Sequence, residues 1–249
     1  MAQPSDPSRV DWDNVNAILK DSFFAHVSFT DKGGLLHCIP MIAPVLQFPE
    51  DPEPYLYLHG HPSSPLIQMV TGSAHTTLER ESNLIVAITA TKVDGINLSS
   101  APNGHSFNYR TVSINGSCSL GPTDLLRKLA VMRAVTNHIV PGRWDDVNPV
   151  SREILSLVAI VRVRVDTARV RIRQGGPNIQ KRDPEIGGPE KPGGVWTGVI
   201  PVWEQLGEPV ESGKTPATVI PPSLNKFLAE RNNASRRYAM ENAVKQRTT

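Results

Sequence analysis

The stretch VAIVRVRVDTARVRIR, Val158 to Arg173, constrains the chain more than any other. Val161, Val163 and Val165 alternate with Arg162 and Arg164, the period of two that sets one strand face on a core and the other in water. Val170 and Ile172 continue on the opposite parity, so the phase flips near Asp166–Ala168, which reads as a bulge or a sharp bend. A strand this long needs a sheet around it, and the chain supplies one. FFAHVSF is a strand, the DKGG turn Asp31–Gly34 follows, and LLHCIPMIAPVLQF returns. Pro40 and Pro44 in that run argue for an edge position or a bend at a barrel corner. YLYLHG, Tyr55 to Gly60, is a short strand. LIVAITAT, Leu84 to Thr91, is apolar on both faces and central, with a turn at Asp94–Gly95 after it. HSFNYRTVSINGSCSLG is a further strand, and VWTGVIPVW, Val195 to Trp203, is a last apolar segment.

Helical signals are fewer. Asn14 to Lys20 forms a short helix, PLIQMVTG one of two turns, and Leu125 to Ile139 the best internal one. In the last, Leu125, Leu129 and Met132 recur at helical spacing, Thr123 or Asp124 caps the start and Pro141–Gly142 ends it. The 22 prolines and 18 glycines among 249 residues favour turns over long helices. The expected fold is therefore mainly β, a small closed or nearly closed antiparallel barrel with a few packed helices. Residues 174–194, rich in Gly and Pro, read as a loop or lid. From Pro221 onward the chain reads as a helix packed on a neighbour or as a partly ordered tail. These readings divide the chain into a domain over 12–205 and a C-terminal extension over 206–249.

Net charge is +2, and residues 221–249 hold six Lys or Arg against two Glu, so the basic excess sits in the tail. A body without that excess argues against a nucleic-acid partner. No run approaches 18 apolar residues and MAQPSDPSRVDWD has no signal-peptide pattern, so the expectation is a cytoplasmic protein with no membrane partner. Cys38 and Cys118 lack metal spacing and read as buried free thiols, and no metal site is expected. Neither a P-loop nor a dinucleotide fingerprint occurs, and HExxH, GxSxG and paired carboxylates are missing, which leaves hydrolase chemistry without support. His26 and His37 read as structural, and His138 as a helix-dipole residue.

Two segments concentrate polar groups. In YLYLHGHPSSPL, His59 and His61 flank Gly60, and Ser63 and Ser64 stand where a helix begins. Free backbone N–H groups there, with two hydroxyls, suit either a phosphate or an ordinary serine cap. In HSFNYR, strand parity sets His105, Phe107 and Tyr109 on one face and Ser106, Asn108 and Arg110 on the other. The Arg110 face continues into Val112 and Ile114, so the guanidinium lies at the rim of the core. It needs an anionic partner there, either an acidic side chain or a ligand phosphate.

Four motifs, in order, carry a resemblance: YLHGHPSS, HSFNYRTVSINGSCSL, VPGRWD and GVWTGVIPV. Together, over roughly residues 12–205, they resemble the flavin-nucleotide-binding proteins related to pyridoxamine 5′-phosphate oxidase, in the branch that includes the nitroimidazole-resistance proteins. The resemblance implies an FMN-binding split barrel that works as a homodimer with flavin sites at the subunit interface. It implies cofactor contacts from His59, His61, Ser63, Ser64, Asn108, Tyr109, Arg110 and Trp196, with Trp196 approaching the ring from the partner subunit. His105 is the implied catalytic proton donor, since an imidazole exchanges a proton near neutral pH. Related barrels also take haem or the deazaflavin cofactor. Pro65 replaces a basic residue common in the branch, and Gly104 replaces a second histidine. The expected function is an FMN-dependent oxidoreductase acting on a small molecule, small aromatics included. The alternative is a non-catalytic flavin- or haem-binding protein serving as carrier, sensor or partner subunit.

Overall fold

The computed structural model describes residues 10–73, 84–178, 194–216 and 219–245. Chain contacts divide it into two compact units, Met1–Thr91 with Thr111–Val170, and Lys92–Arg110 with Arg171–Thr249. The first unit opens with α1 (Trp12–Asp21), capped by the Asp11 carboxylate accepting from the Asn14 amide at 3.2 Å. Val15, Ile18 and Leu19 recur at helical spacing and are buried together. Then come β1 (Ala25–Thr30), β2 (Leu36–Met41), β3 (Val45–Leu46), β4 (Tyr55–Gly60) and α2 (Pro65–Ser73). Three long strands follow, β5 (Leu84–Leu98), β6 (Ser106–Leu120) and β7 (Ala159–Arg173). Between the last two lie α3 (Leu125–Ile139) and α4 (Arg152–Leu157), and the chain closes with β8 (Gly198–Pro201) and α5 (Pro222–Ala243).

The strands hydrogen-bond in the order β2-β1-β5-β6-β7-β4-β3, with β8 paired to β5. That order overturns the barrel expectation. It runs as a path from β2 to β3, and no pairing joins those two among the described residues, so the sheet is open. The helices are not minor additions either. At 15 residues α3 equals the longest strands, and α5 with 22 exceeds them, so the fold is mixed α/β. The prolines explain the edges. Pro40 lies in edge strand β2, where a missing N–H costs no pairing on the outer side. Beyond Met41 the run leaves the strand, and only Val45–Leu46 resumes pairing, as the opposite edge against β4.

In the first unit, alternation sorts the strands cleanly. Val27, Val86, Ile88, Val112, Ile114, Val161 and Val163 face a core shared with α1 and α2. Tyr55, Tyr57 and Ile160 point the other way, into a second core with Val131 and Val135 of α3. The phase flip in β7 is visible as two successive exposed residues, Asp166 and Thr167. The outward positions of β1, β5 and β6 form a face of uniform character. His26 pairs with Thr89 and Ser28 with Ala87, and the Thr91 and Thr111 hydroxyls meet at 2.8 Å. With Ile85, Ser113 and Asn115 these outward residues include no Lys, Arg, Asp or Glu. Of the two thiols expected to be buried, Cys118 is, and burial pushes it up to about 12, but Cys38 lies exposed on β2.

Candidate functional site

The first polar cluster belongs to the first unit. β4 ends at His59–Gly60, the turn spans 61–64, and α2 starts on Pro65, whose fixed φ suits a first helical position. The proline that replaces a basic residue therefore helps start the helix. The turn is internally braced. His61 Nδ1 accepts from the Ser63 amide at 3.2 Å and lies 2.7 Å from the Ser63 hydroxyl, and the Ser64 amide donates to the His61 carbonyl at 2.9 Å. Accepting a backbone N–H at Nδ1 sets the His61 proton on Nε2. Gly60 keeps the turn tight, since a Cβ there would lie 3.3 Å from Ser64 Oγ.

Two atoms of this turn stand out. Ser64 Oγ and His59 Nδ1 are buried and have no hydrogen-bond partner among the described residues. Burial pushes the His59 imidazole below its ordinary value of 6.5, which keeps it neutral. A neutral imidazole protonated at Nδ1 and a serine hydroxyl both donate hydrogen bonds. A phosphate is a strong acceptor, and the donor set fits it.

The second cluster belongs to the other unit. A short 3-10 turn, Pro102–Gly104, leads into β6. His105 is exposed, with Nδ1 3.0 Å from the Ala101 carbonyl, so Nδ1 carries the proton and Nε2 is left as an acceptor. The glycine that replaces a second histidine has a steric cause: a Cβ on Gly104 would lie 2.2 Å from Ser99 Oγ and 3.1 Å from the Asn178 carbonyl. Asn108 is fully buried and its amide donates to the Gly175 carbonyl at 3.0 Å, so it ties β6 to the chain beyond β7. Tyr109 is half-buried. Trp196 is 67% exposed, and its ring lies against the Gly198 backbone. Most of the expected 174–194 lid lies outside the described residues.

For Arg110 the sequence left open a carboxylate or a phosphate. A carboxylate is present. Arg110 Nε donates to Asp94 Oδ2 at 2.9 Å and its terminal nitrogen to Asp94 Oδ1 at 2.8 Å, a bidentate pair with both residues buried. The Tyr238 ring of α5 covers the guanidinium at 3.9 Å. Neither partner was found from the sequence. Asp94 read as a turn, yet β5 runs straight through it to Leu98. The signal was the hairpin itself: folding β5 and β6 back about Pro102 brings 94 opposite 110. His59, His61, Ser63 and Ser64 thus gather at one turn of the first unit. His105, Asn108, Tyr109, Arg110 and Trp196 belong to the second.

A family model described as pyridoxamine 5′-phosphate oxidase matches residues 11–172. No curated protein matches the chain. Among solved structures, the FAD and haem binding protein from Mycobacterium smegmatis aligns with a TM-score of 0.70 at 20% identity, covering 90% of this chain and 98% of that one. The flavocytochrome Anf3 from Azotobacter vinelandii aligns with a TM-score of 0.68 at 23% identity, covering 88% of this chain and 91% of that one. Both likenesses show a shared fold. Their coverage leaves out too few residues for that fold to stop at 172, so part of the C-terminal region is shared as well.

Proposed function

The chain belongs to the pyridoxamine 5′-phosphate oxidase family, and on that premise we propose that it binds a flavin nucleotide, held through its phosphate at the turn between β4 and α2. The observation that carries this reading is the pair of buried, partnerless polar atoms at that turn, Ser64 Oγ and His59 Nδ1, which donates when it carries the ring proton. Leaving such groups unpaired costs free energy that a phosphate oxygen would recover. Ser63 and His61 brace the turn from outside and keep the hydroxyls at the helix start, where the dipole also favours an anion.

FMN is the form the motifs imply, and FAD is the form named for the Mycobacterium smegmatis relative. A bound flavin supplies hydride or electron transfer. The residues of this chain would bind, orient and exchange protons. The bond from His105 Nδ1 to the Ala101 carbonyl leaves Nε2 as the ring's acceptor atom, and exposed Trp196 offers an aromatic surface to a ring. Both enter the proposal through the motifs. Arg110 is a positioning residue in this reading, because Asp94 already satisfies its fork. Cofactor binding itself is the function best supported. Turnover of a small substrate, as an FMN-dependent oxidoreductase, is the finer reading.

Haem is the second cofactor reading. It is favoured by the fold shared beyond residue 172 with two proteins described as an FAD and haem binding protein and a flavocytochrome. The assembly we propose is a homodimer packed through the uncharged face of β1, β5 and β6. The family resemblance supports the dimer, and the outward residues of this face carry no like charges that would oppose two copies packing through it.

The test of the phosphate site is Ser64→Ala titrated with FMN and with riboflavin, which lacks the phosphate. FMN affinity should fall about tenfold, the scale of a hydrogen bond to a charged group, with riboflavin unchanged. Equal losses for the two ligands would remove the phosphate from this turn.

A further inference from the structure

A second pocket lies in the first unit, on the α3 side of β4 and β7. Its cavity volume is ≈ 80 Å³, and Phe48, Asp51, Tyr57, Leu120, Arg127 and Arg162 line it. None of these is a cofactor contact implied by the motifs. Tyr57 is 99% buried, its ring packed edge-on to Phe48 with centroids 5.9 Å apart. No hydrogen bond to its hydroxyl occurs among the described residues, and the side chain lines the pocket. Burial and the nearby Asp51 carboxylate push the phenol up to about 12, so it stays a donor at any working pH.

The charged groups of the lining differ in how far they are already used. Arg127 is paired with Glu50, lies 3.7 Å from Asp124, and has its guanidinium 5.5 Å from the Phe48 ring centroid. Both Asp51 oxygens are engaged, Oδ2 by the Phe48 amide at 3.0 Å and Oδ1 by Arg162. Arg162 is held more loosely. Its guanidinium rests on the Tyr55 ring at 4.5 Å, with Asp51 at 3.7 Å and the Ser119 hydroxyl at 3.5 Å. Distances that long leave guanidinium N–H groups free for a closer acceptor. The side-chain groups left over are therefore donors, the Tyr57 hydroxyl and the Arg162 fork. The lining carries two guanidiniums against one carboxylate. Phe48 and Leu120 add apolar walls.

We propose that this pocket binds a small planar monocarboxylate, its carboxylate accepting from Tyr57 and Arg162 and its ring lying against Phe48 and Leu120. The site is separate from the cofactor reading and stands without it. Arginine and a phenol meeting a carboxylate give charge-assisted bonds that a neutral isostere cannot match.

The experiment is calorimetric titration of the full chain with benzoate and with benzamide, its neutral counterpart. Benzoate should bind saturably with a dissociation constant on the order of 1 mM, and benzamide about tenfold or more weakly. Tyr57→Phe keeps the ring and removes only the donor, so it should weaken benzoate about tenfold while the melting transition stays cooperative. Should that variant fail to fold, the benzoate and benzamide contrast on the unmodified chain decides alone. Equal affinity for the two probes, no saturable benzoate binding up to about 10 mM, or benzoate affinity unchanged in folded Tyr57→Phe would each overturn the proposal.

Discussion

Arg110 shows how burial decides what a charged side chain can do. With both charges out of water, the bidentate bond to Asp94 is held by geometry and by the Tyr238 ring rather than by a free gain in energy. Arg110→Ala leaves the Asp94 carboxylate buried without its partner, and should cost about 3–5 kcal/mol of stability in the cofactor-free protein. Adding Asp94→Asn should recover part of that loss, which chemical denaturation of the single and double variants measures. His59 makes the matching case for a histidine. Burial holds its imidazole below 6.5 in the folded chain, so the unfolded chain binds the extra proton first as pH falls. Its contribution is present above 6.5 and is lost as pH drops through the folded value. Denaturation midpoints at about pH 7.5 and about pH 5.5 should therefore differ less in His59→Gln than in the parent. Both residues could be singled out in the sequence, from strand parity and from the turn they flank. Their partners could not. Asp94 carries no local mark beyond a turn-like Asp-Gly pair, and Tyr238 arrives from a helix more than a hundred residues away.

At the scale of elements, the strands that alternate were readable and the breaks between them were less so. β4, α2 and α3 begin where capping and periodicity put them, and the Asp124 carboxylate accepts from the Arg127 amide at 2.9 Å as the cap. β5 runs past Asp94–Gly95 because β8 pairs with its far half, Gly95 opposite Pro201, a long-range partner that no local signal announces. The proline-bearing run split into β2 and β3 for the reason its prolines gave, an edge on each side. Glycine shows where strands approach most closely. A Cβ on Gly116 of β6 would lie 2.2 Å from the Arg164 carbonyl of β7, and backbone cannot move aside as a side chain can. Gly116→Ala should therefore destabilise by about 1–3 kcal/mol through overpacking. Gly72→Ala, in open space on α2, should be neutral or slightly stabilising. A thermal melt of the two variants side by side checks this.

For the whole molecule, the barrel expectation failed because strand count does not determine closure. Closure depends on which edges meet, and here β2 and β3 end the sheet separately. Family membership was readable because its motifs preserve local geometry, a strand-to-helix turn and a hairpin strand, without reporting how the sheet ends. The proposed dimer packs through the uncharged face of β1, β5 and β6. Ala87→Glu on that face should leave monomer stability within about 0.5 kcal/mol, as for other exposed positions. It should shift sedimentation from a dimer to a single chain of 27.2 kDa. A flavin nucleotide or haem held by this chain would be retained as a visible chromophore. The purified protein is equilibrated separately with FMN, FAD and haem, passed through gel filtration, and its visible absorbance read. Flavin bands should co-elute with the protein near one per chain, or a Soret band if haem is the resident group. Colourless protein after all three incubations, from a sample that melts cooperatively, would contradict cofactor binding by this chain.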